Sequence, residues 1–322
     1  MTKKVFSCVL IGLGDIGLNY DLFLDQEKYI KTHANAFFSN PGFDLQGGVY
    51  IDTNACDIFK NKYSTKSYNL IEDALLENKP DLIILSVPTS FQLEAIKKIV
   101  ACYKPKAILC EKPMGDNLKQ GKEIVNLCNK FGISLYVNYI RRCLPESKEV
   151  KNRIDNSIIK PPMRSVIWYS KGLIHNGSHF INLMEYWFGE CLDVQIINEG
   201  RFLKNFGAEP QVFLKFNNCE LTLIPAWEEF YSHYTIEIVS STGRLYWGQH
   251  RLEWTKAEDD SNQKSNSYLA EKTEELLLGS NRYQKYVADE LHLAMSGQNS
   301  SISSGHQALK TLRTIDRIES LI

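Results

Sequence analysis

Short apolar runs alternate with helical patterns through the first 140 residues, and this alternation most restricts the folds open to the chain. Strand and helix patterns in strict turn are typical of a parallel sheet built from right-handed crossovers. The runs are almost entirely apolar, as expected for strands covered on both faces. They are Val5–Ile11, Leu45–Ile51, Asp81–Val87, Ala107–Cys110 and Ser134–Tyr139, with helical patterns near His33–Ser39, Leu70–Glu77, Phe91–Tyr103 and Asn117–Phe131.

The pattern changes after Arg141-Arg142, where one helix and then several consecutive strand-like runs with short polar turns predict a mostly antiparallel sheet. The helix is Ser178–Phe188, and the tail, Arg282–Ile322, carries two more helical patterns. We predict an α/β protein. Residues 1–140 would form a doubly wound parallel sheet, and residues 141–322 an α+β domain with an open, mostly antiparallel sheet, whose last helices could pack back on the first domain.

The bulk composition excludes several function classes. The net charge is −1 over 322 residues, which gives no general attraction to nucleic acid or to an anionic membrane. No apolar run reaches the length of a membrane span, and the N-terminus lacks a signal-peptide pattern, so a cytoplasmic protein is expected. The eight cysteines show no CxxC spacing, which favours buried, reduced thiols over a metal site or a disulfide framework.

A glycine-rich motif follows the first apolar run. Gly12, Gly14 and Gly17 fit the pattern G-x-G-x-x-G, with Asp15 and Ile16 between them. In such motifs the first glycine permits a tight turn, the second lets backbone approach a pyrophosphate, and the third allows close packing of helix on strand. A helix that begins here would direct free N–H groups and its positive dipole end at the phosphates. The motif predicts dinucleotide binding by all five residues.

Asp52 ends the second apolar run, where a carboxylate can accept hydrogen bonds from adenosine ribose hydroxyls and would repel a 2′-phosphate. It favours NAD, with NADP possible; the other interpretation is an aspartate that starts a turn. The offset from the glycines exceeds the usual spacing of about 20 residues. The excess lies in Leu18–Lys31, which is predicted to be an insertion beside the phosphate site.

Two further segments follow later strands of the same predicted sheet. Pro88 comes just after one apolar run, and Glu111-Lys112-Pro113 follows the next. The carboxyl ends of parallel strands line the crevice in which a dinucleotide lies. Pro88, Glu111 and Lys112 are therefore predicted to contact the cofactor, and Lys112 becomes a candidate for chemistry rather than a surface charge.

Together with the segment His175-Asn176-Gly177-Ser178-His179, these motifs resemble the Gfo/Idh/MocA family of oxidoreductases, which includes glucose–fructose oxidoreductase and inositol dehydrogenase. The resemblance covers nearly the whole chain. It implies an N-terminal Rossmann domain, a C-terminal domain with an open sheet, NAD or NADP as cofactor, and oxidation or reduction at a carbinol carbon of a sugar, nucleotide sugar or cyclitol.

The resemblance also implies roles for single residues. Lys112 corresponds to the lysine of the family's E-K-P motif, and His179 to the last residue of its D-x-G-x-H motif. Two positions depart from the pattern: His175 replaces the family's aspartate, and Gln92 replaces a histidine often found there. The implied catalytic residues are Lys112, His179 and His175, and the implied substrate-binding residues are Lys112, Asn138, Arg142, His175, Asn176 and His179.

These residue types suit the chemistry. Removing a hydride from an alcohol carbon requires the hydroxyl proton to leave, and a nearby cation stabilises the negative charge that develops. Lys112 fits the cation, and His179 fits the base because the ordinary histidine pKa lies near neutrality. Phe180, Leu183, Met184 and Trp187 are predicted to bury one face of their helix, with His175 and His179 on a more polar side. No third ligand accompanies the two histidines, so no metal site is predicted.

Two alternatives remain open at this level: a reductase of the same fold for a non-sugar substrate such as a tetrapyrrole or an imine, and a non-catalytic cofactor-binding regulator. We also expect a homodimer or homotetramer, formed through an apolar face of the C-terminal sheet. Candidate residues for that face are Trp168, Phe213, Phe216, Trp227, Tyr246 and Trp247.

Overall fold

The computed structural model describes residues 4–226, 228, 230–259, 267–276 and 279–322. The chain divides into two compact units, each made of two segments. The first unit comprises Met1–Leu144 and Ser280–Leu312, and the second comprises Pro145–Gly279 and Arg313–Ile322. Residues 280–312 of the predicted C-terminal domain thus belong to the first unit.

The helices and strands are numbered in chain order. The strands are β1 Phe6–Ile11, β2 Phe43–Val49, β3 Lys66–Tyr68, β4 Leu82–Leu85, β5 Ala107–Cys110, β6 Ser134–Val137, β7 Met163–Tyr169, β8 Asp193–Leu203, β9 Gly207–Lys215, β10 Cys219–Pro225, β11 Thr235–Ser240, β12 Gly243–Trp247, β13 Leu252–Asp259, β14 Ser267–Leu269, β15 Glu274–Leu276 and β16 Ser303–Ser304. The helices are α1 His33–Ser39, α2 Thr53–Tyr63, α3 Ile71–Asn78, α4 Thr89–Cys102, α5 Leu118–Lys130, α6 Ile140–Cys143, α7 Pro145–Asp155, α8 Ser178–Phe188, α9 Tyr283–Met295 and α10 Gly305–Glu319.

The first unit contains a seven-stranded sheet in the order β16-β6-β5-β4-β1-β2-β3. Its strands pair in parallel, apart from the short edge strand β16, which is antiparallel to β6. The strand order reverses at β1 and β4, and in such doubly wound sheets ligands bind outside the carboxyl ends of the strands at this point. The predicted fold class is confirmed, and the glycine motif lies at that edge.

Helices cover both faces of this sheet, as the apolar strands predicted. Because side chains alternate along a strand, Cys8 and Leu10 of β1 join a core with α1, α2 and α9. Val9 and Ile11 face the other way and join a core with α3, α4, α5 and α10. Full burial of an aliphatic side chain stabilises a fold by roughly 2 kcal/mol, so these two cores fix the sheet beneath the site.

The second unit is built on a sheet in the order β14-β13-β12-β11-β7-β10-β9-β8, with β15 paired to β13. Strands β7 and β10 pair in parallel and the other neighbours are antiparallel, as predicted. Helix α8 covers one face, where the Trp187 and Trp247 rings lie 5.8 Å apart. The predicted lone helix of this domain is accompanied by α7, whose Ser147 carbonyl accepts a hydrogen bond from Trp187 Nε1.

The predicted aromatic face of this sheet needs correction. Phe216 and Trp247 are each 1% exposed and belong to the core under α8. Trp168 is 40% exposed, and strand register places it on the opposite face with the half-buried Phe213 and Tyr246. The prediction grouped residues of both faces because it used composition and not the alternation along each strand. Trp227 lies outside the described residues.

Candidate active site

The glycine loop joins β1 to a five-residue π-helical turn, Asp15–Asn19. At two of its glycines, the packing of neighbouring protein atoms leaves no space for a side chain. Gly12 has a φ of +102°, and a Cβ there would lie 2.4 Å from the Ser86 carbonyl oxygen. A Cβ on Gly17 would lie 2.2 Å from the Gly12 carbonyl oxygen. Ser86 Oγ donates a hydrogen bond of 2.6 Å to that same oxygen. The loop is therefore packed against the end of β4.

Gly14 differs from its two neighbours. A Cβ at this position would meet no atom closer than the Tyr50 hydroxyl at 3.8 Å, so protein packing does not explain a glycine here. The loop is also open to solvent at this point, since Asp15 is exposed and Ile16 half-buried. Space that a side chain would occupy is what a pyrophosphate needs to approach the backbone. The loop therefore fits a dinucleotide.

The helix expected after the glycine motif is not a full one. Only the π-helical turn Asp15–Asn19 follows the loop, and the next helix, α1, begins at His33. The predicted dipole of a long helix is thus reduced to that of a single turn, because the dipole sums over aligned peptide units. The backbone N–H groups at the start of this turn still directly follow Gly14.

The insertion between the turn and α1 is tied down at both ends by one buried residue. Asp21 is 0% exposed, and its carboxylate accepts hydrogen bonds from Lys31 N (2.6 Å), Thr32 N (3.0 Å) and Thr32 Oγ1 (2.7 Å). These contacts close residues 21–32 into a compact loop on which Phe23 is 93% exposed. The sequence offered no reason to separate Asp21 from the acidic residues around it.

Asp52 precedes α2 and caps it. Its Oδ1 accepts a hydrogen bond of 3.0 Å from Ala55 N, and its side chain is exposed. The position is compatible with both a turn-starting aspartate and a ribose contact, because Oδ1 caps the helix and a carboxylate has a second oxygen that can accept a hydrogen bond. Contact with a ribose stays a prediction.

Gln92 of α4, which begins directly after Pro88, holds the segment that carries Lys112. Its side chain is 0% exposed. Its Nε2 donates to the Glu111 carbonyl oxygen and its Oε1 accepts from Gly115 N, each at 2.9 Å. One amide therefore bonds both ends of the turn from Glu111 to Gly115. Gln92, one of the two residues that depart from the family pattern, thus has a clear structural role.

The Glu111 carboxylate is fixed by two buried side chains. Its Oε1 accepts hydrogen bonds from His33 Nε2 and from Asn138 Nδ2, each at 2.6 Å. Burial favours the neutral acid, but hydrogen bonds from His33 and Asn138 and the charge of Lys112 outweigh it and lower the pKa of Glu111. His33 was not predicted to be functional: its only local signal is its place at the start of a helix, and its partner lies 78 residues away.

Lys112 follows at the carboxyl end of β5 and is half-buried. Burial lowers the pKa of Lys112 from 10.5 to about 8; the Glu111 carboxylate opposes this shift, and the Arg141 guanidinium adds to it. A lysine with such a pKa can give up or take a proton near neutral pH, as a residue in proton-transfer chemistry must. The sequence-predicted Lys112 and Glu111 are thus brought together with Asn138.

Arg142 is buried and makes hydrogen bonds within the first unit. It is 3% exposed, and its guanidinium donates to the Ser301 carbonyl (2.9 Å) and to Gln307 Oε1 (3.2 Å). These contacts tie α6 to the C-terminal segment of the first unit. Its implied role in substrate binding stays a prediction.

The predicted histidines lie in the second unit on one continuous segment. A π-helical turn, Gly172–Gly177, leads directly into α8, so His175 belongs to the turn and His179 to the first turn of the helix. His175 is exposed and its ring packs on Phe206, with 5.4 Å between ring centroids. Asn176 Nδ2 donates to the Ser170 carbonyl oxygen at 2.8 Å.

The burial pattern of α8 confirms the predicted apolar stripe. The predicted apolar stripe of four residues is buried, each at most 2% exposed: Phe180, Leu183, Met184 and Trp187. On the more polar side, His179 is 5% exposed and Asn182 is 0% exposed. Tyr186 on the same side is half-buried, and His175 in the π-helical turn is exposed.

Comparison with known proteins identifies the first unit. Residues 6–139 match the family model described as an oxidoreductase family with an NAD-binding Rossmann fold. This Gfo/Idh/MocA family model covers the Rossmann domain alone, which is less than half of the chain. The family provides an NAD-binding domain, in agreement with the open space at Gly14.

The curated relatives of this chain are distant. An uncharacterized oxidoreductase, YrbE, from Bacillus subtilis is 28% identical over 162 residues, which are 50% of this chain and 43% of the relative. A scyllo-inositol 2-dehydrogenase (NAD(+)) from the same organism is 26% identical over 156 residues, which are 48% of this chain and 42% of the relative. The matches thus span less than half the length of either relative.

Solved structures share the fold over nearly the full chain. An NAD binding oxidoreductase from Klebsiella pneumoniae has a TM-score of 0.78 at 15% identity, covering 99% of this chain and 97% of the other. In the part of the chain that the structure describes, no helix is long and apolar enough to cross a bilayer. The same residues contain no group of three or more His, Cys, Asp or Glu side chains placed to hold a metal ion. All eight cysteines are described and are free thiols.

Proposed function

We propose that this chain is an NAD-dependent dehydrogenase or reductase acting on a carbinol or carbonyl carbon of a sugar, nucleotide sugar or cyclitol. The observation that carries the proposal is Lys112. Burial lowers its pKa to about 8, and it lies at the carboxyl edge of the sheet that carries the glycine loop. The match of residues 6–139 to the Gfo/Idh/MocA family model and the relative named as a scyllo-inositol 2-dehydrogenase support the substrate class.

The nicotinamide, when bound, supplies the hydride acceptor or donor. In the oxidative direction, the Lys112 ammonium beside the substrate hydroxyl stabilises the negative charge that develops on oxygen. His179 accepts the hydroxyl proton, and in the reductive direction it returns that proton. The Glu111 carboxylate, held by His33 and Asn138, orients the segment that carries Lys112.

We assign cofactor contacts to the glycine loop, Asp52, Pro88 and the Glu111–Lys112 segment. The proposed substrate contacts are Lys112, Asn138, Arg142, His175, Asn176 and His179. Among these six, His175 is the exposed side chain. Its imidazole can donate or accept hydrogen bonds with a polyol, whereas an aspartate at this position could only accept them when ionised.

The test is turnover by the purified chain with NAD or NADP and a panel of cyclitols, sugars and nucleotide sugars, followed at the reduced-nicotinamide absorbance band. We expect activity on at least one member. Lys112→Ala should then lower kcat/KM by roughly 100-fold or more. Lys119→Ala, at an exposed lysine of α5, is the matched control and should not change it.

Two results would contradict the proposal. One is tight NAD binding with no turnover across the whole panel. The other is a Lys112→Ala variant that keeps nearly full activity, which would remove Lys112 from the chemistry even if a dehydrogenase activity were found.

A further inference from the structure

A carboxylate in the second unit is fully buried and was not singled out by the sequence. Glu209 of β9 is 0% exposed. Enclosing a carboxylate costs several kcal/mol unless its oxygens are paired, so its two partners are informative. Oε2 accepts from Arg201 Nε at 2.9 Å across the β8–β9 hairpin, and Oε1 accepts from the backbone N of Gly172 at 3.0 Å.

Gly172 is the first residue of the π-helical turn that carries His175. Its φ is +83°, and it follows Lys171, whose φ is +62°. Two left-handed residues in succession redirect the chain from β7 into the turn, a conformation that needs external support. A Cβ on Gly172 would lie 1.9 Å from the Phe206 carbonyl oxygen. The first residue of the turn is therefore packed closely against the β8–β9 hairpin.

Two more contacts join the same hairpin to the turn. The Phe206 ring packs on the His175 ring at 5.4 Å. The Tyr169 hydroxyl, at the end of β7, donates to the Pro210 carbonyl oxygen at 2.7 Å. The hairpin thus holds the segment before the turn, its first residue and its histidine.

We propose that the β8–β9 hairpin positions the two histidines, with Glu209 as the positioning residue that fixes the backbone at Gly172 and thereby the placement of His175 and His179. No aspartate lies in the turn, but the Glu209 carboxylate lies next to it and accepts a hydrogen bond from the backbone N of Gly172. The proposed effect on catalysis rests on the function proposed above; the effect on the backbone does not.

The experiment compares two double variants that differ in one group. Glu209→Gln with Arg201→Gln keeps an amide oxygen for the Gly172 N–H and gives the new NH2 group a polar partner. Glu209→Ala with Arg201→Gln removes the acceptor. Glu199→Ala, at an exposed residue of β8, is the control for changing a glutamate on this hairpin.

The first measurement is amide hydrogen exchange by mass spectrometry over residues 170–178. We expect exchange there to be at least about ten-fold faster in the alanine double variant, with β7 and β10 unchanged. The glutamine double variant and Glu199→Ala should exchange like the wild type. Equal exchange in all variants would overturn the proposal, and so would faster exchange throughout the second sheet, since that describes a residue needed only for folding.

The second measurement separates catalysis from cofactor binding. On a substrate found by the panel, the alanine double variant should lose at least about ten-fold in kcat, and the glutamine double variant should recover most of it. NAD affinity should stay the same in both, because the glycine loop lies in the first unit. If the glutamine double variant recovers none of the lost kcat, the positioning role is overturned. If no variant and no wild-type protein turns over any substrate, only the proposed function is refuted, and the hydrogen-exchange result still tests the effect on the backbone.

Discussion

Lys112→Met should change how the free energy of unfolding depends on pH. Burial lowers the pKa of Lys112 from 10.5 to about 8 in the folded protein. Between these values the unfolded chain holds a proton that the folded chain has released, so stability rises with pH across this window. Below about pH 8 the full penalty of burying the ammonium is present. It is relieved as the pH rises towards 10.5.

The size of the effect follows from the shift. Each pKa unit corresponds to about 1.4 kcal/mol, so the whole penalty is about 3 kcal/mol. Between about pH 7 and pH 9.5 the wild type should gain about 2 kcal/mol relative to Lys112→Met, because the methionine cannot titrate. Other groups titrate in both proteins and cancel in the difference. Because the Glu111 carboxylate opposes the shift, Glu111→Gln should move the window to lower pH.

Urea unfolding of both proteins at each pH, followed by far-ultraviolet circular dichroism, measures this difference. Tryptophan fluorescence would report on the second unit, where all five tryptophans lie, whereas Lys112 lies in the first unit. Lys119→Met removes one positive charge from an exposed position and is the control. A wild-type-minus-Lys112→Met difference that stays constant from about pH 7 to pH 9.5 would refute a lowered pKa for Lys112.

Three further predictions concern separate features. Gly14→Ala should weaken NAD binding at least about ten-fold without lowering the melting temperature, since protein packing leaves room for its Cβ. Gly12→Ala should lower the free energy of unfolding by about 2 kcal/mol or more, because Gly12 has a φ of +102° and its Cβ would lie 2.4 Å from a carbonyl oxygen. Asp52→Ser keeps a helix cap and removes the charge, so titration calorimetry should show NADP binding strengthened relative to NAD with little change in stability. Trp168→Arg should shift the chain towards monomer in analytical ultracentrifugation if the open sheet face joins two copies; unchanged sedimentation would exclude that face.

The strands of the first unit were predictable because they are buried on both faces and therefore nearly uniform in hydropathy. Helix α2 was missed, since its buried positions are few, Cys56, Phe59 and Tyr63, and polar residues surround them. Strand β3 was missed because it is a three-residue edge strand with one exposed and two half-buried positions. Short elements at an edge carry little periodicity for a sequence to display.

The site was predictable where a motif encodes it locally. Gly12, Gly14 and Lys112 stand at the ends of apolar strands, and that position alone places them at the same edge of a sheet. His33 and Glu209 were not predictable in this way. Each acts through a partner distant in sequence, 78 residues away for His33 and 37 for Glu209. The available signal for a buried pair was a lone glutamate in a strand whose other residues are apolar or neutral, apart from Lys215 at its end.

The amide of Gln92 bonds both ends of the turn that carries Lys112. An amide neither gains nor loses a proton in water, whereas an imidazole at this position would change its charge and its donor pattern near neutral pH. The hydrogen bonds by which Gln92 holds the turn are therefore the same across the physiological pH range. A pH dependence measured for the turn can then be read as the titration of the lysine and of the ionisable groups near it, without a contribution from Gln92.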